Sequence, residues 1–210
     1  MPPEWQWIGT VAAIAVLVWA IRRLPWHKVQ GDGEAQRVFA VFIAVAILMR
    51  GFSTQGVMGV NLHFLGAAIA TLMFGARFAL VALAVASAAW AVLGRVWLGW
   101  GWDFLANDAL PVAVAVAMGA LVNRTLPAHI MIYILGNGFF AAAISMMASV
   151  VFKASVTGLL GGDPTPYLVA AIPLSFVEAF FTGGAMALIV AYRPQWCATF
   201  DDAKYLAKRD

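Results

Sequence analysis

Long apolar stretches separated by short polar ones occupy most of the chain. Seven of them are candidate membrane spans: Trp5 to Ile21, Val38 to Phe52, Gly59 to Gly75, Arg77 to Gly94, Phe104 to Val122, His129 to Phe152 and Tyr167 to Tyr192. A helix needs about 20 apolar residues to cross the hydrocarbon core, and none of these stretches shows the alternating dyad of an outer-membrane strand. The second and third are short. Only "GAR" separates the third from the fourth, which predicts a tight helical hairpin. The pattern predicts an all-α integral membrane protein: a compact bundle of about seven transmembrane helices forming one domain over residues 1–192. The polar tail, residues 193–210, is too hydrophilic to insert.

Composition sharpens this picture. Of the 210 residues, 63% are hydrophobic and 11% charged, whereas a soluble domain is nearer half apolar and a quarter charged. No basic cluster precedes the first apolar run, and no small-residue cleavage motif follows it before Arg22 and Arg23, so the first helix is expected to stay. The single cysteine, Cys197, excludes an internal disulfide and a thiolate cluster within one chain.

The basic residues predict an orientation, because Lys and Arg near span ends are retained in the cytoplasm. With seven spans, Arg22, Arg23, Lys28, Arg37, Arg77, Arg124, Arg193, Lys204, Lys208 and Arg209 fall on one face. The other receives only Arg50, Arg95 and Lys153. The N-terminus is therefore expected outside and the C-terminus in the cytoplasm, as a multi-pass protein of a bacterial inner membrane. Small residues one turn apart, such as Gly66 with Ala70 and Gly183 with Ala187, suit close helix packing in lipid. The tryptophans of "PPEWQW", "LPWHK" and "RVWLGWGWDF" fall at span ends, where amphipathic rings settle at the interface.

Against this apolar background a few polar residues need a reason. His63 lies near the outer end of the third expected span with Gln55 and Asn61, and Asp103, Asn107 and Asp108 open the fifth. Under the expected topology both groups face the same side and are able to converge, and polar groups at membrane depth bind something or pair with each other. His63 has a second reading, as a hydrogen-bonded cap of a short helix. Glu178, in "LSFVEAFFTGG", is the deepest carboxyl: either a structural hydrogen bond to small-residue backbone or a functional acid. His27 and His129 read as interfacial. Of the methionines only Met146 and Met147 sit close together, so core filling outweighs a copper path. No phosphate loop, nucleophile elbow or histidine pair at metal spacing occurs. Nothing recommends an enzyme or a nucleic-acid partner.

These residues resemble a known family. "HFLGAAIATLMFGARFALVALA", "FLANDALPVAVAVAMGALV" and "IPLSFVEAFFTGGAMALIVAY" are similar to three ordered blocks of the CbiM and NikM group. That group comprises the substrate-binding membrane components of cobalt and nickel energy-coupling factor (ECF) transporters. The likeness covers roughly Val57 to Tyr192. It implies capture of a divalent transition metal ion at the outer face and delivery inward, driven by an ECF-type ATPase and a membrane scaffold protein. By resemblance His63 is a metal ligand, Asn107 supports or closes the site, and Glu178 is a structural or coupling carboxyl; Asn61, beside His63, is expected to have a structural or coupling role as well.

The chain departs from the family at its start. The family's site uses an N-terminal Met-His sequence for a square-planar ion, whereas this chain begins "MPPEW", and Pro2 has neither an amide N–H nor an imidazole. A different site is expected, completed by Glu4, Asp103 or Asp108 with harder oxygen ligands, for cobalt, nickel, copper or zinc. The alternative is a non-transporting membrane subunit or assembly factor that binds copper or haem, or stabilises a larger complex.

Overall fold

The structure, a computed structural model, describes residues 3–52, 62–94, 97 and 99–205. It is all-helical, with no β-strand among the described residues. Helix α1 (Pro3–Arg22) is followed by α2 (Gly33–Gly51), whose first turn is capped by Asp32; its carboxylate accepts from the amides of Glu34 and Ala35 at 2.9 and 3.0 Å. Helix α3 (Ala67–Phe74) has only eight residues, and α4 (Ala76–Gly94) follows immediately. Three long helices complete the bundle: α5 (Trp100–Thr125), α6 (Ile130–Leu159) and α7 (Thr165–Tyr192). A short helix, α8 (Asp202–Tyr205), lies beyond them.

Five helices are long and apolar enough to cross a membrane: Glu4–Arg22, Ala76–Gly94, Trp100–Thr125, Ile130–Leu159 and Thr165–Tyr192. Two of the seven expected spans differ. Helix α2 matches the others in length but carries Glu34, Arg37 and Arg50. In the third, the helix begins only at Ala67, preceded by the non-helical stretch 62–66. Eight residues rise about 12 Å, less than half the hydrocarbon thickness. Gln55 and Asn61 lie outside the described residues, as do Met1 and Pro2 of "MPPEW".

The expected hairpin between the third and fourth segments is made by one residue. Gly75, at φ +79°, reverses the chain between α3 and α4, a conformation that a side chain disfavours. Helices α3, α4 and the apolar half of α5 then share a core of small side chains, among them Ala67, Ala70, Ala79 and Val112. Helix α7 packs along α6, and α1 packs on the first turn of α5, where the Trp102 indole donates to the Trp5 carbonyl at 2.6 Å. Only 17% of the α1 span is buried within the bundle, so most of its apolar surface is left for lipid.

The chain beyond α7 folds back rather than trailing away. The amides of Ala198 and Thr199 donate to the carbonyls of Met73 and Leu72 at 2.9 and 3.3 Å, satisfying C-terminal groups of α3 that have no partner within the helix. The Thr199 hydroxyl donates to Leu72 O at 3.0 Å and accepts from Tyr133 OH at 2.7 Å. Tyr205 OH donates to Asn123 at 2.8 Å.

Candidate functional site

At the opposite end of the bundle, four chain segments bring polar side chains together. Arg50 comes from the last turn of α2, His63 from the stretch 62–66, Asp103, Asn107 and Asp108 from the start of α5, and Ser149 from α6. Helix α5 contains a π-helical turn, Leu105–Ala109. In a regular α-helix Asp103 and Asn107 share a face while Asp108, five residues on, points about 140° away. The wider turn brings Asp108 round to the inner side, where it is fully buried beside the nearly buried Asn107. Such single-turn bulges recur at functional sites.

Arg50 is the hub. Its side chain is 3% exposed, and its Nη1 donates to Asp103 Oδ2 at 3.0 Å while Nη2 donates to Asp108 Oδ1. Nη1 also stands 3.4 Å from His63 Nε2. The Nδ1 of His63 lies 2.9 Å from the Phe64 carbonyl, which can only accept, so Nδ1 carries the proton and Nε2 presents its lone pair to the guanidinium. Asn107 Nδ2 donates to the other Asp103 oxygen at 2.6 Å, and Ser149 donates to Asn107 Oδ1 at 3.3 Å. The carboxylates thus face a cation and a side-chain amide, the pairing that charges at membrane depth require.

Glu178 reaches this region from α7. Its two carboxyl oxygens accept from the backbone amides of Leu65 and Gly66 at 3.0 and 2.8 Å. Gly66 sits at φ +63°, a left-handed conformation that turns both amides towards the carboxylate. A side chain of the last long helix therefore clasps the backbone two and three residues beyond His63. Its hydrogen bonds go to the backbone, not to the imidazole's partner atoms.

Beside the cluster lies a cavity of about 270 Å³ lined by Arg50, His63, Ser87 and Asp103, with Trp90 and Trp100 in its wall. The Trp100 indole is held by a hydrogen bond to Ser87 at 3.1 Å. Asp103 also lines a second cavity of about 230 Å³ that includes Lys153.

Of the residues singled out in the sequence, His63, Asp103, Asn107 and Asp108 lie together here, and Glu178 is attached through the backbone. Glu4 is exposed in the first turn of α1. His129 caps α6 by accepting from the Met131 amide at 3.1 Å. The residues that sequence reasoning missed are Arg50 and, beside Asp103 in the second cavity, Lys153, both read there only as markers of membrane orientation. The available signal was a lone arginine ending an apolar helix in a chain whose fifth segment opens with two aspartates, because charges at that depth need partners.

The donor set of one imidazole and two carboxylates suits a divalent transition metal ion. Among the described residues, however, no three of His, Cys, Asp and Glu are placed to hold a metal ion. The guanidinium stands between those that come nearest. No curated protein and no solved structure matches the chain. A family model does, the cobalt uptake substrate-specific transmembrane region, over residues 1–196. With that match spanning every helix of the bundle and all the residues of the cluster, the chain belongs to the CbiM family of cobalt-uptake membrane components.

Proposed function

We propose that this protein captures a divalent transition metal ion, cobalt or nickel first, at the cluster of His63, Asp103 and Asp108, and passes it across a bacterial inner membrane. Asn107 holds Asp103 in orientation, and Glu178 holds the stretch that carries His63. The observation that carries this reading is the gathering of three metal-grade donor atoms, His63 Nε2, Asp103 Oδ2 and Asp108 Oδ1, around the guanidinium of Arg50 at one end of a family-matched bundle. An imidazole with two carboxylates is a harder set than an all-nitrogen one, and it favours an ion that accepts oxygen ligands.

In this reading α2 and the segment leading into α3 complete seven membrane-crossing segments within the domain of residues 1–192, with the N-terminus outside and the cluster facing outward. The end that holds the tail faces the cytoplasm, where an ECF-type ATPase and a membrane scaffold protein would dock. Asn61, which lies outside the described residues, is assigned a structural or coupling role.

The test is the metal content of the purified protein by mass spectrometry after exposure to cobalt, nickel, copper and zinc, wild type beside His63→Ala. A stoichiometric ion present in the wild type and lost in the variant supports capture and names the cargo. An ion retained by the variant removes His63 from the site, and no ion in the wild type sinks the reading.

A further inference from the structure

The three donor atoms of the cluster are already engaged. Arg50 Nη1 is shared between Asp103 Oδ2 at 3.0 Å and His63 Nε2 at 3.4 Å, and Nη2 holds Asp108 Oδ1. A planar guanidinium is a cation with five fixed donor directions, and here three of them end on atoms that a metal ion would need. We propose that Arg50 is a tethered competitor for the cargo: its guanidinium occupies the acid–imidazole set, and an ion enters by displacing it. The inference rests on the capture reading above and adds the element that controls access to the site.

Ligand chemistry and space both favour an exchange. Lys153 acts on both carboxylates as a second cation, so the exchange turns on coordination rather than on net charge: a divalent transition metal ion takes the imidazole lone pair and the carboxylate oxygens as ligands, which a guanidinium cannot do. A monovalent ion offers no more charge than Arg50 and loses to the tethered group, whose effective concentration is set by its own side chain. The displaced guanidinium has a place to go. The cavity of about 270 Å³ borders Arg50, His63 and Asp103, and its wall carries Trp90 and Trp100. Indole faces accept a guanidinium well in a poorly hydrated setting. A rotation of the Arg50 side chain into that space opens the set without moving α2.

Cobalt binding to the detergent-purified full chain, measured by equilibrium dialysis, tests this. Arg50→Met should bind Co²⁺ at least ~tenfold more tightly than the wild type, because the intrinsic affinity is no longer reduced by the small fraction of open sites. Adding His63→Ala to Arg50→Met should remove that gain. Arg50→Lys keeps a charge but cannot bridge both aspartates, and should fall between the two. If Arg50→Met does not purify as a folded protein, Arg50→Met/Asp108→Asn removes a cation and an anion together and is compared with Asp108→Asn alone, with tighter binding in the double variant expected. Wild-type binding with no gain in any Arg50 variant overturns the competitor role and leaves capture standing. Binding in neither the wild type nor any variant overturns both, and is recognised by that pattern.

Discussion

Glu178 and Gly66, far apart in sequence, are joined by a 2.8 Å hydrogen bond from the Gly66 amide to Glu178 Oε1, while the second oxygen takes the Leu65 amide at 3.0 Å. Glu178→Gln keeps the shape but turns one acceptor into a donor facing an N–H. A buried donor left unsatisfied costs about 1–3 kcal/mol. The variant should unfold at lower temperature in detergent and show weaker Co²⁺ binding, because the stretch that carries His63 is released. Unchanged binding in a destabilised variant would confine Glu178 to a structural role.

The two aspartates on Arg50 should differ in their effect on stability. Asp108 is fully buried, and Asp108→Asn leaves the guanidinium short of its buried partner, a loss of about 3–5 kcal/mol. The Asp103 side chain is 37% exposed, and Asp103→Asn should cost no more than about 1 kcal/mol. Thermal unfolding midpoints of the two variants, measured side by side, check the order, and equal losses would contradict the burial argument.

Cys197 lies beyond α7, against Tyr133, Val190 and Tyr205, and burial pushes its thiol up to about 12. At pH 8 its thiolate population is then roughly a thousandfold below that of an ordinary cysteine with a pKa of about 8.5. The native protein should resist maleimide while the same protein in SDS labels fully. Rapid native labelling would show that the folded-back tail opens readily.

The tail's hold on α3 is open to a separate test. Thr199→Val removes the hydroxyl that donates to Leu72 and accepts from Tyr133. The expected loss is about 1–2 kcal/mol, and Tyr133→Phe should give part of the same loss. The two effects should fall short of additive in the double variant, since both remove one shared contact.

Much of the bundle was legible because hydrophobic length is a local property. The "GAR" hairpin and the long apolar helices follow from runs of residues that lipid or a small-residue core must cover. The short α3 was not legible as such. Its stretch of sequence is apolar but for Asn61, His63 and Thr71, and the non-helical stretch 62–66 is held by Glu178, more than a hundred residues later. The same holds for Asp108, whose inward direction depends on a π-helical turn that helical spacing does not anticipate.

Composition and pattern by themselves determined that this is a helical membrane protein, which polar residues are too costly to be idle, and which end of the third and fifth segments they share. Only the tertiary structure decided that Arg50 is their common partner. An arginine at a span end is cheap wherever it reaches water, so its sequence context allows either a loop position or a buried one. Packing of α2 against α4, together with the chain before α3, closes off the water and leaves two aspartates and an imidazole as the groups able to satisfy the guanidinium.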